Sequence, residues 1–216
     1  MPDKDKKRTD RNRDGQRDTS RGGAAPDSGI ADGPSISTLD TLAFGDEGPR
    51  VMLRNAGETD LPQLMKLMQE AAMDGTPSFP PVSEEKLRQG MGPGGRTIVA
   101  DIGDVVPVGF AIVVYNTADD ELPVKLTEDE QLRTLKLEAA AMRPDWHNKD
   151  LLSDIISLLL EGSAQRGFTL ALADLPADRP LAVKMLEKLG FRKIKTVRTD
   201  QDGDRYILRF DTKAVV

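Results

Sequence analysis

Between Thr134 and Gly162 the chain reads TLKLEAAAMRPDWHNKDLLSDIISLLLEG. Two kinds of chemistry sit in this stretch. Glu138 is a carboxylate inside an apolar, strand-like run, either a surface-facing glutamate on a half-exposed sheet or a group available for proton chemistry. The run ends in a polar turn, with His147, Asn148 and Lys149 leading to a helix start at Asp150. The first N–H groups of a helix have no intrahelical partner and attract anions, so a strand-turn-helix junction is a natural phosphate cradle. Such cradles usually carry glycine, which lets the backbone approach the ligand. Here none occurs before Gly162, and Asp150 is at the helix start. A carboxylate there competes for the same N–H groups. It also repels a phosphate, by roughly 4 kcal/mol at an effective dielectric near 20. The junction keeps the shape of an anion site with altered chemistry, and His147 and Lys149 offer partial compensation.

Other candidates are weaker. Tyr115 ends the run VPVGFAIVVYN and is either a substrate contact or an ordinary strand aromatic. The acidic runs Asp119–Glu121 and Glu128–Glu130 attract a cationic acceptor or are solvated loop charge. The chain has no cysteine and one histidine, which excludes disulfides, thiol catalysis and multi-histidine or cysteine metal sites. No metal site is expected. A net charge of −6 argues against a general nucleic-acid binder. No apolar run reaches the roughly 18–20 residues that span a bilayer, and the charged N-terminus has no apolar core of a secretory signal. A cytoplasmic protein with no membrane partner is the expectation.

These residues must be held by a domain. Residues 1–48 lack apolar periodicity: a basic tip is followed by a Gly-, Ser-, Pro- and Asp-rich stretch without Lys or Arg from Ala24 to Gly48. Such a segment reads as a disordered tail, in which ISTLDTLAF carries a weak signal for a transient helix or for docking on the domain. The domain spans 49–216. RVMLR alternates like a strand. NAGETDLPQLMKLMQEAA is a helix, capped by Thr59 or Asp60, with Leu61, Leu64, Leu67 and Met68 on one face. TPSFPP breaks the chain, and SEEKLRQGM is a short second helix that ends in glycines. RTIVADI and VPVGFAIVVYN form a hairpin over Gly103-Asp104. Thr117–Arg133 is acidic and irregular, long for a hairpin loop, and covers a face or lines a site. TLKLEAAAM is a strand in which alternation sets Glu138 opposite Leu137 and Ala139. Then come a helix over 150–166, a strand over 168–172, a helix over 178–189 and a closing hairpin. The order is β-α-α-β-β-β-α-β-α-β-β.

This order, with the segments MRPDWHNKDLLSDIISLLLEGSAQRGF and ADRPLAVKMLEKLGFRKI, resembles the GCN5-related N-acetyltransferase (GNAT) superfamily over residues 50–210. In the second segment, Ala182 and Leu189-Gly190-Phe191 carry the likeness. The resemblance implies an α/β (α+β) GNAT fold: a mixed, mostly antiparallel central sheet flanked by helices. It implies an acyl-CoA-dependent N-acyltransferase, with acetyl-CoA or another acyl-CoA as co-substrate, lying in a V-shaped opening between two central strands. It implies that Met142, His147, Asn148, Lys149, Asp150, Leu151 and Leu152 bind the co-substrate. It makes Glu138 the catalytic base and sets Tyr115 near the acceptor. The family pattern Gln/Arg-x-x-Gly-x-Gly/Ala falls on His147 to Leu152, with Asp150 and Leu152 at the small positions. Leu186 stands where the family often has an acidic tyrosine, and Arg179 where it has an asparagine. Trp146 is expected to pack on the helix or a sheet edge. The acceptor is a small amine or a protein amine, and a homodimer is common in this fold. The altered loop equally suits a non-catalytic module of the same fold that binds a protein partner.

Overall fold

Alternating apolar residues build most of the sheet. The computed structural model describes residues 41–43, 50–73, 79–102, 106–146, 150–199 and 203–212. Among the described residues there are eight strands: β1 (Thr41–Ala43), β2 (Arg50–Asn55), β3 (Gly95–Ile102), β4 (Val106–Tyr115), β5 (Thr134–Met142), β6 (Leu170–Pro176), β7 (Arg192–Thr199) and β8 (Gly203–Asp211). Their order is β1-β2-β3-β4-β5-β6-β8-β7. Every neighbouring pair is antiparallel except β5 and β6. The helices are α1 (Leu61–Met73), α2 (Glu84–Met91), α3 (Glu128–Leu132), α4 (Leu151–Gln165) and α5 (Pro180–Lys188). The sequence-predicted order is therefore present, with β1 and α3 added.

One local expectation resolves and two change. Of ISTLDTLAF, Thr41–Ala43 form a strand paired with β2, Thr41 opposite Met52, which is the docking alternative and not the helix. The rest of 1–48 lies outside the described residues. The 117–133 connection is not wholly irregular. Its TEDE run is a reciprocal cap for α3, in which Glu130 N–H donates to Thr127 Oγ1 (3.2 Å) and Thr127 N–H to Glu130 Oε2 (3.0 Å). Neither Thr59 nor Asp60 caps α1 as a preceding residue. A 3-10 turn over Glu58–Asp60 leads into it, and the Asp60 carboxylate reaches back to Gly57 N–H (2.8 Å). Arg54 clamps that carboxylate through two bonds of 2.7 Å and donates to Asp101 at 2.6 Å.

The sheet has two apolar faces, as its period-2 pattern requires. On one, Leu64, Leu67 and Met68 of α1 and Leu87 of α2 meet Val99, Phe110, Ile112, Ala139 and Ala141. On the other, α4 and α5 meet Ile98, Val113, Leu135, Leu137, Ala140 and Met142. On α4 the apolar stripe is broad: Leu151, Leu152, Ile155, Ile156, Leu159 and Leu160 are all buried, and Leu158 is half-buried.

Two glycines let α2 approach the sheet. A Cβ on Gly90 would lie 2.1 Å from Ile112 Cδ1, and one on Gly95 would lie 2.4 Å from the Val113 carbonyl oxygen and 2.7 Å from Gly90 Cα. Backbone atoms cannot turn away as a side chain can. Gly95→Ala is therefore expected to lower unfolding free energy by about 2–3 kcal/mol through overpacking, read as a fall in urea midpoint at unchanged slope.

Candidate functional site

The two parallel strands β5 and β6 pair only over Thr134↔Leu170 to Leu137↔Ala173. Beyond that point they part. Strand β6 continues to Pro176 with β8 alone on its other side, and β5 continues to Met142 with β4. The parting point coincides with an irregularity in β5. Ile112 pairs with Ala139 and Val113 with Leu137, so Glu138 is an extra residue without a partner. Simple alternation, which would set Leu137 and Ala139 on one face, fails for this reason. Leu137 packs on the α4 side and Ala139 on the α1 side.

Beyond the bulge, β5 has an open edge. Arg143 N–H donates to Val108 O (2.8 Å), which fixes the alternation of the antiparallel ladder. Ala139 and Ala141 bond toward β4, while Ala140 and Met142 turn their N–H and C=O toward the opening. Phe79 uses part of that edge: its N–H donates to Ala140 O at 2.9 Å. Phe79 comes from the α1–α2 connection, yet its ring is buried in the apolar cluster on the α4 side. The chain thus threads an aromatic from one face of the sheet to the other, where β5 and β6 separate.

A cleft of about 380 Å³ lies at this point, lined by Pro80, Val82, Leu137, Glu138, Ala173 and Arg205. Glu121, Leu122 and Pro123 of the 117–133 connection close one side, so that connection lines a site. Lys195 Nζ anchors it by donating to Pro123 O (2.8 Å). Charged pairs ring the mouth: Lys86 with Glu138 (3.4 Å), Lys136 with Asp120 (3.7 Å) and Arg205 with Asp174 (2.9 Å). N–H and O–H donation from Thr117 holds the Asp120 carboxyl below its usual range. A larger groove of about 880 Å³ between α4 and β8 is lined by Leu160, Ala164, Leu189 and Phe210.

The anion-site residues are placed unequally. His147, Asn148 and Lys149 lie outside the described residues. Asp150 stands at the start of α4 in a helical conformation and makes no side-chain cap hydrogen bond. Its carboxylate thus does not supply the side-chain cap that an aspartate at this position commonly makes. The Leu151 and Leu152 side chains are buried in the core, so the bulk of Leu152 points away from the helix start rather than blocking it. Asp154 lies one turn on, and burial and the neighbouring Asp150 both raise its carboxyl pKa. The helix start therefore carries two adjacent carboxylates.

Tyr115 is not on the cleft. It stacks on Phe168 (4.4 Å between centroids), accepts from Arg166 (2.9 Å), and burial raises its phenol pKa. Leu186 is fully buried and Trp146 packs on the α4-side core. Among the described residues, no group of three or more His, Cys, Asp or Glu side chains could hold a metal ion, and no helix is long and apolar enough to cross a membrane. Of the sequence-predicted residues, Glu138 lines the cleft, and Met142 lies four residues further along the same strand. The site adds Phe79 and Lys86, which sequence reasoning missed. The only signal for Phe79 was an aromatic in a proline-rich break, and for Lys86 a lysine in an amphipathic first turn.

Phe79→Ala should remove the aromatic that fills the gap and cost about 3–5 kcal/mol of stability, seen as a lower urea midpoint. Phe79→Leu should recover part of that loss.

No family model matches this chain, and no curated protein matches it. Solved structures do. The ribosomal-protein-S18-alanine N-acetyltransferase from Escherichia coli aligns with a TM-score of 0.58 at 20% identity, over 77% of this chain and 96% of its own. A GCN5-related N-acetyltransferase from Kribbella flavida aligns at 0.55 and 19% identity, over 74% and 97%. A GNAT superfamily phosphinothricin acetyltransferase from Sinorhizobium meliloti, in complex with acetyl-CoA, aligns at 0.56 and 17% identity, over 75% and 88%. The fold is that of the GNAT acetyltransferases.

Proposed function

We propose that this chain is an acyl-CoA-dependent N-acyltransferase that moves an acyl group, most simply acetyl, from the thioester to an amine. The observation that carries this reading is the parting of β5 from β6, with an unpartnered Glu138 at its apex and open backbone groups beyond it. An acyl-CoA supplies an activated carbonyl. The backbone edge of Met142 and the N–H groups of Leu151, Leu152 and Ser153 would hold it, since the Asp150 carboxylate makes no side-chain cap there and the Leu152 side chain is buried in the core. Glu138 takes the proton from the attacking amine. The acidic groups at the mouth, Asp120 and Glu121 among them, favour a cationic amine, either a small molecule or a protein side chain or terminus. Helix α5 offers no acid at Leu186.

Titration with acetyl-CoA under thermal shift tests the reading. Stabilisation at sub-millimolar ligand is the expected result. Glu138→Gln should then lower kcat by about 10²–10⁴-fold while leaving binding. No stabilisation at several millimolar would favour a second reading, a non-catalytic module of the same fold. The observation behind that reading is the pair Asp150 and Asp154 at the helix start, where negative charge opposes a diphosphate.

The same pair sets a pH dependence. The Asp154 carboxyl pKa is raised in the folded protein, so as pH falls it protonates before an ordinary aspartate does. Repulsion weakens as that proton binds, so coenzyme A should bind more tightly at lower pH. Asp154→Asn should tighten binding at neutral pH by about two- to fivefold and flatten its pH profile, measured by calorimetry with free coenzyme A.

A further inference from the structure

We propose that Lys86 is an acceptor amine for this protein's own transfer reaction, a self-acylation site. The inference rests on the acyltransferase reading above. Lys86 lies in the first turn of α2, where its N–H donates to Ser83 Oγ (3.3 Å). The helix is seated on β3 and β4 through Gly90 and Gly95. From this fixed root the Lys86 Nζ reaches 3.4 Å from Glu138 Oε1. It is also close enough to Asp120, on the same mouth, to act on that carboxylate. The Glu138 side chain is mostly covered, with 20% exposure, whereas Lys86 keeps 39%. The ammonium therefore sits beside the cleft carboxylate that an incoming cationic amine would have to reach, and remains open to a reagent.

Other lysines are placed differently. Lys66 pairs with Glu70 on the exposed side of α1, and Lys136 pairs with Asp120, whose carboxylate already accepts from Thr117. Lys86 is the lysine paired with Glu138. An external amine must displace it, and an acyl thioester placed at the apex meets it first.

The step balances without a further reagent. Glu138 takes one proton from the Lys86 ammonium. The nitrogen lone pair attacks the thioester carbonyl carbon, and a C–N bond forms as the C–S bond breaks. The sulfur leaves with the bonding pair as a thiolate and takes, through water, the second proton that the nitrogen sheds on becoming an amide, while Glu138 returns the first proton to solvent. The product is a neutral amide on Lys86, which no longer pairs with Glu138.

The test uses the full chain with two donors: acetyl-CoA, and S-acetyl-N-acetylcysteamine, a thioester without the nucleotide. Peptide mass spectrometry follows Lys86 and Lys66 over time. Lys86 should acylate on the order of a hundredfold faster than Lys66, at a rate independent of protein concentration, as an intramolecular step requires. Glu138→Gln should bring Lys86 down to the Lys66 rate, and Glu138→Asp should retain part of the advantage. Melting curves of both variants establish that they are folded. Equal rates at Lys86 and Lys66, or no effect of Glu138→Gln in a folded variant, would overturn the proposal. Thermal stabilisation by acetyl-CoA with no selective label at Lys86 sinks this inference alone. Selective, Glu138-dependent labelling by the small thioester, without stabilisation by acetyl-CoA, supports Lys86 and sinks the coenzyme reading.

Discussion

One constraint organises the molecule: β5 cannot keep β6 as a partner beyond Leu137. A strand in the middle of an eight-stranded sheet normally bonds on both sides. Each buried backbone group left unpaired costs about 1–3 kcal/mol. The parting of the strands therefore creates a demand for hydrogen bonds in the centre of the fold. Phe79 meets part of it with its N–H, and its ring fills apolar space on the far side. Among the described residues, no strand pairs with the rest of that edge.

The extra residue at Glu138 does two jobs at once. It shifts the side-chain alternation so that Ala140 and Met142 fall on the α4 side and Ala139 and Ala141 on the α1 side. It also frees Glu138 from the ladder, so that its carboxylate reaches Lys86 on α2. The run of alanines beyond it suits this arrangement. Helices pack on both faces of β5 there, and small side chains allow both to come close. Without the bulge, the residues after Glu138 would exchange faces and both clusters would lose their fit.

Much of this was legible in the sequence and some was not, for definite reasons. Strand and helix positions followed from local periodicity, and the landmarks around Arg143–Phe168 and Ala182–Phe191 pointed to the architecture that the solved structures share. Glu138 was legible as a carboxylate in an apolar strand. Its bulge was not, because a bulge is a property of two paired strands and β4 carries no mark of it. Phe79 and Lys86 were missed because they act across 61 and 52 residues of sequence, respectively, through contacts that no local pattern encodes. The cap at Asp60 was misread because Arg54 and Gly57 together hold the carboxylate, whereas the sequence suggested a simple preceding cap. Tyr115 was assigned by position at a strand end. The face it occupies is set by register with Leu135, which turns it under α4.

The two ends of the opening carry different electrostatics, and this difference shapes what the site can do. At the mouth, three cations and three carboxylates are paired around the cleft and Glu121 adds a further carboxylate, so a cation entering there exchanges partners on a mildly acidic rim. An amine that enters replaces one cation by another, at small cost, because the carboxylate keeps a partner throughout. At the start of α4, two carboxylates are adjacent instead: burial and the neighbouring Asp150 both raise the Asp154 carboxyl pKa. The positive helix end beside them is worth about half an elementary charge. On the acyltransferase proposal, the amine side of the reaction therefore needs only an exchange of partners at the mouth. A covalently tethered amine such as Lys86 suits that exchange, since it gains its advantage from position and needs no affinity of its own.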